Sequence, residues 1–454
     1  MQLPNSFQKT VFQSRRETFL SRLDPPGIVI LASRPKVFRN LDTPYPYRQE
    51  SNFYYLTGLE LPDSIAVMDA TRNGKQFVLY IPRQNTRAQL YEGTLPTMEQ
   101  IKTAFGADQV LFTDQFFSSI GRLVKKDCPI YYTFGIHRQL DEQILQLFHK
   151  RRSGGLWPIL DPFPILAHMR LIKSEIDFQM GLQQAIAITI RAIKETLPKI
   201  GPGMFEYEVQ ALLEYHFRRQ GSPRNGFDSI IASGPNCGIL HYVENRRQLQ
   251  KDDLLLIDCG AEFNYYTADI TRTVPVSGHF LPAQRQIYQI VLQAQQLAID
   301  HIQPGKTRKQ VEQRVTDFLA QALLDLGLIR RKKDVKHYTI HGYTHWLGMD
   351  VHDVGGYVRE GNPLHYQPGM VMTVEPGIYI REDVLERLRK AGNTAADLAA
   401  IEQRIGDFLN IGIRIEDDVR VTADGCEVLT RELPRTAEAI EALMRGKQIP
   451  QKQA

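Results

Sequence analysis

The sequence is poor in cysteine and has no long uncharged apolar run. Its 454 residues include four cysteines, which are Cys128, Cys237, Cys259 and Cys426. They lie far apart and form no CxxC pair, which argues against a disulfide framework or a thiolate zinc site and fits small core residues in a reducing compartment. No stretch of about eighteen uncharged apolar residues occurs, and the start of the chain lacks the apolar core of a secretory signal. We therefore expect a cytoplasmic protein without a membrane span.

A strong net charge is also missing. The formal charge is +4 at pH 7, and the basic residues are scattered rather than gathered into a run with interleaved aromatic residues. This pattern argues against a nucleic acid as the partner. The hydrophobic fraction of 43% and the charged fraction of 23% are typical of a globular protein, and the length predicts two domains.

The N-terminal part of the chain has the pattern of a small α/β domain. Strand-like runs at 27–33, 63–70, 76–82 and 129–135 alternate with polar stretches of helical character. Glycine and proline then concentrate over residues 151–170, which predicts a linker. The predicted domains are accordingly 1–170 and 171–454.

The C-terminal part mixes helices and strands. Ser174 and Asp177 have the spacing of a capping box at the start of a long helix, and a second helix is predicted to end at Gly221. Two more helices are predicted at 282–302 and 307–327, and strand-like runs follow from residue 227 onwards. The predicted fold class of this part is α+β.

Four acids lie inside apolar, strand-like runs. Asp258 follows "LLLI", Asp269 opens "DITRTVPV", Glu375 interrupts "VMTVEPGIYI" and Glu416 interrupts "IGIRIEDDV". A lone buried carboxylate costs several kcal/mol unless it is paired, hydrogen-bonded or bound to a metal. Each of these acids is therefore predicted to be paired, hydrogen-bonded or bound to a metal ion.

Three histidines, His341, His345 and His352, fall between the second and third acid of this series. Any one of them alone would more often be an ordinary core or surface residue than a ligand. A set rich in carboxylates, with imidazole and without thiolate, suits a divalent ion such as Mn²⁺, Co²⁺ or Zn²⁺. Four carboxylates exceed the needs of one catalytic ion, so two ions sharing acids are predicted, a pair that can activate water and polarise a carbonyl.

Five motifs occur in an order that resembles the aminopeptidase P family of pita-bread metallopeptidases. The motifs are "HYVEN", "LLLIDCGAEFNYYTADITRTVPVSG", "HGYTHWLGMDVHDVG", "TVEPGIYI" and "GIRIEDDV". The stretch "RNLDTPYPYRQESNFYYLTG" is similar to the N-terminal domain of the same family, and methionine aminopeptidase, a single-domain relative, fits less well. The resemblance covers nearly the whole chain. It implies a C-terminal pita-bread catalytic domain, of α+β class, after a smaller α/β N-terminal domain.

The resemblance implies a metalloaminopeptidase that removes any N-terminal residue followed by proline. It implies five metal ligands, which are Asp258, Asp269, His345, Glu375 and Glu416. Asp269 and Glu416 would bridge two divalent ions, most simply Mn²⁺, and Glu375 would take the proton from the water that the ions share. His241 and His352 would contact the substrate around the scissile bond.

Further positions carry over from the same family. His341 and Tyr357 match its substrate pocket, and Arg414 matches a position beside a metal-bearing strand. Asp42 matches an acid that the N-terminal domain lends to an active site, often that of a neighbouring subunit. The implied partners are peptides with proline second and other copies of this chain, in a dimer or tetramer. Trp346 could add a flat face to the pocket or could pack in the core.

The sequence departs from the family pattern at two places, and three alternative functions remain open. The segment 381–410 is longer than expected for a bacterial aminopeptidase P, and Tyr91 stands where a tryptophan is expected. Prolidase, limited to dipeptides whose terminal carboxylate could be caught by a group such as Arg359, is the main alternative. A non-catalytic pita-bread binding protein or a metal-free, creatinase-like hydrolase would lack the acid set, which this chain retains.

Overall fold

The structure is a computed structural model that describes residues 1–71, 76–124, 128–149 and 158–446. The chain divides into two compact units, Met1–Met169 and Arg170–Ala454. Among the described residues, no helix is both long enough and apolar enough to cross a membrane. All four cysteines are free, and three of them are buried, as the sequence predicted.

The predicted linker over 151–170 lies partly outside the described residues, at 151–157. The rest of that range is not a linker, because it contains a short strand and most of the helix Phe163–Leu171. The prediction counted Pro164 as a helix breaker. Pro164 instead occupies the first turn of the helix, where its missing N–H is tolerated.

The first unit is an α/β unit with a mixed sheet. Its helices are α1 (Ser6–Ser21), α2 (Ser51–Thr57), α3 (Thr86–Glu92), α4 (Met98–Phe105), α5 (Phe116–Leu123), α6 (Arg138–His149) and α7 (Phe163–Leu171). Its strands are β1 (Ile28–Ala32), β2 (Phe38–Asn40), β3 (Thr43–Pro44), β4 (Ile65–Asp69), β5 (Gln76–Ile81), β6 (Gln109–Phe112), β7 (Ile130–Tyr131) and β8 (Ile159–Leu160). Six strands form one sheet in the order β6-β5-β4-β1-β7-β8. β1 and β4 are buried at every position, as expected for a sheet covered on both faces.

The strands β2 and β3 form a separate exposed hairpin. Several large apolar side chains of this hairpin face solvent: Val37 is 62% exposed, Phe38 55%, Leu41 97% and Tyr45 55%. Leu41 also adopts a positive φ of 37°, which is uncommon for a residue with a branched side chain. The predicted site residue Asp42 lies at the tip of this hairpin, next to Leu41, and is exposed.

The second unit combines helices with several small sheets. Its helices are α8 (Glu175–Asp177), α9 (Gln183–Thr196), α10 (Glu206–Arg219), α11 (Pro282–His301), α12 (Arg308–Asp325), α13 (Val384–Lys390), α14 (Ala395–Ile405) and α15 (Ala437–Met444). Its strands are β9 (Arg224–Asn225), β10 (Ile230–Ser233), β11 (Leu254–Cys259), β12 (Ala261–Phe263), β13 (Tyr266–Thr267), β14 (Ile270–Pro275), β15 (Val358–Arg359), β16 (Asn362–Pro363), β17 (Val371–Val374), β18 (Gly377–Tyr379), β19 (Gly412–Arg414), β20 (Asp417–Val421) and β21 (Cys426–Val428).

The helices of the second unit follow the sequence signals closely. The capping box of Ser174 and Asp177 is present at the start of α8. A π-helical turn over Phe178–Leu182 then separates α8 from α9, which the sequence did not predict. A Cβ on Gly181 in this turn would lie 2.3 Å from the carbonyl oxygen of Phe263, so the helix makes a close approach there that only glycine allows.

Two predicted strands are each broken at an acid. The run around Glu375 divides into β17 and β18, and the run around Glu416 divides into β19 and β20. β17 pairs with β20, whereas β18 pairs with β19 in a different sheet. Each chain segment therefore changes sheets at its acid, and Pro376 contributes to the break because it has no N–H to donate to a ladder. At the breaks, the N–H groups of Glu375 and Glu416 donate to the carbonyls of Tyr343 and Thr271.

The long segment 381–410 forms a helical insertion between β18 and β19. Its two helices, α13 and α14, bury an apolar face made of Val384, Leu388, Leu398, Ile401 and Ile405. Backbone hydrogen bonds close the base of the insertion, from Ile380 N–H to Ile411 O and from Asn410 N–H to Ile380 O, each 2.8 Å. The insertion is thus a folded element with its own contacts.

Candidate metal centre

The five predicted ligands converge from separate parts of the second unit. Asp258 lies on the central strand of the sheet β10-β11-β14, and Asp269 immediately precedes β14. Glu375 and Glu416 lie at the two sheet changes. His345 belongs to a loop that is tied to β17, because Thr373 N–H donates to its carbonyl at 2.9 Å.

The imidazole of His345 is surrounded by carboxylates. Its Nε2 lies 3.4 Å from Asp269 Oδ2, 3.7 Å from Glu375 Oε1 and 4.0 Å from Glu416 Oε1. The other nitrogen, Nδ1, is 3.1 Å from the carbonyl oxygen of Trp346, which directs Nε2 toward the acids. Asp269, His345 and Glu416 each offer one ligand atom, and all three atoms lie within 4.8 Å of one another.

Hydrogen bonds from neighbouring strands orient the carboxylates. Thr271 Oγ1 donates to Glu416 Oε2 at 2.7 Å, and Arg414 Nη2 donates to Asp258 Oδ2 at 2.6 Å. Arg414 Nε also donates to Thr271 Oγ1 at 3.1 Å, so one guanidinium supports two ligands. Groups that hold ligands in this way are usual around metal sites and fix the ligand geometry.

The electrostatics of the cluster fit a divalent cation. Burial raises the pKa of Asp269 well above its usual range, and repulsion from Asp258 and other acids adds to the rise. The pKa of Glu416 is raised by burial and by Asp269, and burial raises the pKa of Glu375 to about 7. Asp258 Oδ1 is buried and receives no hydrogen bond from the described residues. Carboxylate oxygens and one imidazole form a donor set for a hard or borderline metal ion, whose charge would offset this repulsion.

His341 is held next to the cluster by a residue that the sequence analysis missed. Tyr379 OH accepts a hydrogen bond from Arg414 Nη1 at 2.9 Å and donates one to His341 Nε2 at 2.7 Å. His341 Nδ1 lies 3.4 Å from Glu375 Oε2. Burial and the nearby Arg414 lower the pKa of His341 to about 3, so its ring is neutral. The sequence offered no signal for Tyr379, because it looks like a strand tyrosine in an apolar run.

His352 and His241 complete the group of imidazoles. The His352 ring packs edge-on against the His345 ring, with centroids 4.4 Å apart. Burial lowers the pKa of His352, and the charges of His345 and His241 add to this shift. The structure therefore brings His341 and His352 to the same region as the acids, and His241 contributes to the electrostatics of both rings.

Tyr357 and Trp346 form an aromatic pair, and the structure gives the two residues different roles. Tyr357 stacks on Trp346 with ring centroids 5.3 Å apart, and the Arg308 guanidinium lies 4.1 Å from the centre of the Tyr357 ring. Trp346 is only 2% exposed and donates to Gly356 O at 2.7 Å. Trp346 is thus core packing that supports Tyr357, which resolves the alternative left open by the sequence.

Three other residues singled out in the sequence are exposed to solvent. Asp42 belongs to the first unit and Tyr91 is 75% exposed at the end of α3. The side chain of Arg359, on β15, is 61% exposed. Conversely, Thr271 was missed although a signal existed, since it lies two residues after Asp269, the spacing that places side chains on one face of an extended strand.

Comparison with known proteins matches both parts of the chain to described families. Residues 181–423 match metallopeptidase family M24, and residues 12–131 match the aminopeptidase P N-terminal domain. The chain belongs to metallopeptidase family M24. Its M24 part contains all five predicted ligand positions, so the family assignment and the cluster of acids agree.

Full-length relatives of the M24 chain support the same conclusion. The Xaa-Pro aminopeptidase of Haemophilus influenzae is 34% identical, over 96% of this chain and 97% of the relative. The Xaa-Pro aminopeptidase of Escherichia coli is also 34% identical, over 95% of this chain and 97% of the relative. The solved structure of Pseudomonas aeruginosa aminopeptidase PepP superposes with a TM-score of 0.87 at 34% identity, covering 96% of this chain and 98% of that one.

These comparisons confirm the main sequence predictions. The resemblance to aminopeptidase P is confirmed, as are the α+β class and the C-terminal pita-bread domain that follows an aminopeptidase P N-terminal domain. The chain is a metalloaminopeptidase of the M24 family, which indicates binding of a divalent metal. The prolidase alternative is not favoured, because the named relatives are Xaa-Pro aminopeptidases.

Proposed function

We propose that this M24 metallopeptidase releases the N-terminal residue from peptides with proline in second position, using two divalent ions held by Asp258, Asp269, His345, Glu375 and Glu416. The observation that carries the proposal is the convergence of three carboxylates, those of Asp269, Glu375 and Glu416, on His345 Nε2. A fourth carboxylate, Asp258, is buried and adds to the repulsion within the same group of acids. Full-length similarity to Xaa-Pro aminopeptidases supports it.

The proposed metal pair is Mn²⁺, with Asp269 and Glu416 shared between the ions. Asp269 and Glu416 suit the shared position because both are nearly fully buried and each offers a ligand atom within 4.8 Å of the other and of His345. Bound ions would lower the pKa of water and polarise the carbonyl of the scissile bond. The choice of Mn²⁺ rests on the excess of carboxylate over imidazole.

Glu375 is the proposed proton acceptor. Its two oxygens face different imidazoles, with Oε2 at 3.4 Å from His341 Nδ1 and Oε1 at 3.7 Å from His345 Nε2. A carboxylate in this position can take a proton from water and later return it to the leaving proline nitrogen. His241 and His352 are proposed to hydrogen-bond the substrate on either side of that bond.

Proline recognition must rely on shape, because a prolyl nitrogen in a peptide bond has no hydrogen to donate. Tyr357, His341 and His352 offer flat faces with polar edges around the acids, which suits a small ring. The stacking of Tyr357 on the buried Trp346 holds one such face in a fixed orientation. We therefore assign these three side chains to the proline pocket.

The exposed hairpin β2–β3 supports a proposed homo-oligomer, a dimer or tetramer. Its apolar side chains and the exposed Asp42 at its tip suit contact with another copy of the chain. In that arrangement Asp42 would pair with the free α-amino group of a substrate in a neighbouring subunit and exclude internal peptide bonds. We also propose a cytoplasmic location, because all four cysteines are free thiols.

A direct assay tests the proposed function. Purified protein loaded with Mn²⁺ is expected to cleave Ala-Pro-Ala and to lose activity on chelation, with recovery when Mn²⁺ is returned. The same preparation is assayed on Gly-Pro and on Ala-Ala-Ala to separate this activity from dipeptidase and general aminopeptidase activity. Inactivity on Ala-Pro-Ala under metal-replete conditions would contradict the proposal.

A further inference from the structure

The helical insertion 381–410 begins next to the turn that leads to His241. That turn is the 3₁₀ segment Gly234–Gly238, and an open pocket of about 300 Å³ lies between it and the base of the insertion. The pocket is lined by residues from both sides, including Asn236, Ile239, Glu382 and Asn410. One side chain of the insertion, Arg381, spans this space.

Arg381 fixes the end of the turn in two ways. Its Nη1 donates to the carbonyl oxygen of Gly238 at 3.0 Å, and its aliphatic stem lies so close that a Cβ on Gly238 would be 3.0 Å from Arg381 Cγ. The guanidinium is itself held, because its Nε donates to Asp383 Oδ1 at 3.1 Å. The insertion therefore supplies both the donor and the residue that orients the donor.

The opposite side of the same turn rests on β19, the strand to which the insertion returns. A Cβ on Gly412 would lie 2.5 Å from the carbonyl oxygen of Cys237, so the two backbones are in close contact. Gly234–Gly238 is consequently held between β19 on one side and Arg381 on the other.

Along the chain, His241 lies between Gly238, which Arg381 holds, and a second fixed residue, Tyr242. Tyr242 is buried and its hydroxyl donates to Glu206 Oε2 at 2.8 Å. Between these two residues, His241 is exposed and Ile239 is 47% exposed, so little packing restrains them. The position of the His241 ring thus depends on where Gly238 and Tyr242 are held.

From this arrangement we infer that Arg381 is a positioning residue for His241, and that the insertion 381–410 serves to carry it. The inference rests on the proposed role of His241 at the scissile bond. Arg381 touches neither the acids nor the predicted substrate pocket; it acts through the Gly238 carbonyl and the short chain that follows. Loss of this contact is expected to let the His241 segment move while leaving the metal ligands in place.

Amide hydrogen exchange tests the positioning role independently of activity. Arg381→Ala is expected to raise exchange of the backbone amides of residues 239–245 about tenfold, while the amides of β11 and β14 keep their wild-type protection. Arg389→Ala, a change of an exposed arginine on α13 of the same insertion, is the matched control and should leave both regions unchanged. Unchanged exchange at 239–245 in Arg381→Ala would overturn the inference, whatever the protein hydrolyses.

Kinetics on Ala-Pro-Ala provide the second readout. Arg381→Ala is expected to lower kcat/KM about tenfold, because one hydrogen bond from a charged donor is lost, with metal affinity unchanged. Asp383→Ala, which only frees the guanidinium, should act in the same direction but by less, and it substitutes for Arg381→Ala if that variant does not fold. Arg381→Lys should recover most of the activity, since an ammonium can still reach the carbonyl.

A double-mutant cycle separates action through His241 from a general structural effect. In a His241→Asn background, Arg381→Ala is expected to cause no further loss of kcat/KM. The same fold loss in both backgrounds would refute the inference. If the wild-type protein fails to cleave Ala-Pro-Ala, the proposed function fails, and the exchange measurement still decides the role of Arg381.

Discussion

Thr271 donates its hydroxyl hydrogen to Glu416 Oε2 at 2.7 Å, across the boundary between β14 and the β19–β20 break. The two residues are far apart in the sequence, yet both are almost completely buried. The same hydroxyl accepts a hydrogen bond from Arg414 Nε at 3.1 Å. Thr271 therefore connects Arg414 to Glu416, a proposed bridging ligand, through two consecutive hydrogen bonds.

Thr271→Val should weaken metal binding without unfolding the protein, because valine keeps the shape and removes the hydrogen bond to Glu416. A 10- to 100-fold loss of Mn²⁺ affinity is expected, the usual cost of removing a group that orients a ligand. Calorimetric titration of the chelated protein with Mn²⁺ measures it. Thr196→Val is the control, since the buried Thr196 hydroxyl has no hydrogen-bond partner among the described residues and its loss should leave the affinity unchanged.

Glu375→Gln should reduce kcat by about 10²- to 10⁴-fold, since the amide keeps the shape but cannot accept the proton. The variant is assayed at saturating Mn²⁺, with metal content measured on the same sample, so that loss of metal is not mistaken for loss of the proton acceptor. Glu386→Gln, on the exposed face of α13, should behave like wild type. Near wild-type turnover by metal-loaded Glu375→Gln would remove Glu375 from its proposed role.

Substrate length and sequence distinguish the candidate activities. Ala-Pro-Ala and longer peptides with proline second should be cleaved, and Ala-Ala-Ala should be cleaved far more slowly, because the proposed pocket recognises the proline ring. Product analysis by mass spectrometry identifies the released residue. Cleavage of Gly-Pro with tripeptides left intact would instead indicate a dipeptidase, and equal rates on Ala-Pro-Ala and Ala-Ala-Ala would exclude recognition of proline.

The hairpin β2–β3 should control assembly. Leu41→Glu places a charge on a side chain that is 97% exposed, next to Asp42, and is expected to shift the protein to a smaller species by multi-angle light scattering. Leu90→Glu, at a position that is 81% exposed on α3 of the same unit, is the control and should leave the mass unchanged. The same mass for Leu41→Glu and wild type would show that the hairpin is not an interface.

A buried ion triad predicts a specific acid sensitivity. Asp353 accepts hydrogen bonds from Lys173 Nζ at 2.8 Å and from Arg170 Nη2 at 2.6 Å. Burial alone would raise the pKa of Asp353, but the two cations outweigh it, and the net pKa is lowered. A carboxyl group with a depressed folded pKa stabilises the protein above its unfolded pKa of about 3.9, and this contribution is lost as the pH falls through the lower folded value.

Asp353→Asn should therefore cost roughly 3 kcal/mol of unfolding free energy at pH 6, since it removes the carboxylate that faces the buried Lys173 and leaves Asp350 as the acid paired with Arg170. The difference from wild type should persist down to about pH 5 and shrink below about pH 4, as the wild-type carboxyl becomes protonated. Urea unfolding of chelated wild type and variant at several pH values measures this. A difference that grows as the pH falls would contradict the assignment.

The sequence predicted the acids and their chemistry because their pattern is local. Four carboxylates in apolar runs, such as Asp258 after "LLLI", are visible without a structure and are costly to bury alone. The signals that mark the starts of helices are also local in the sequence, as the capping box at Ser174 shows. The motifs also identified the family, which the comparisons confirmed.

The sequence could not show how the acids are supported. The breaks at Glu375 and Glu416 depend on which strands pair, and a continuous apolar run looks the same whether or not it changes sheets. Tyr379 lies in such a run and becomes significant only because Arg414 and His341 reach its hydroxyl from other segments. The contact of Arg381 with Gly238 is likewise invisible in the sequence, since 143 positions separate the two residues.

The order in which the acids occur along the chain has a consequence for biosynthesis. Asp258 and Asp269 emerge from the ribosome long before Glu416, because they precede it in the sequence. A nascent chain that ends before Glu416 offers an incomplete donor set, so tight metal capture must wait until Glu416 has been added and the strands have paired. Metal selection is then made by paired strands that hold the ligands in place, and not by a flexible chain that would accept whichever ion binds most strongly to loose side chains.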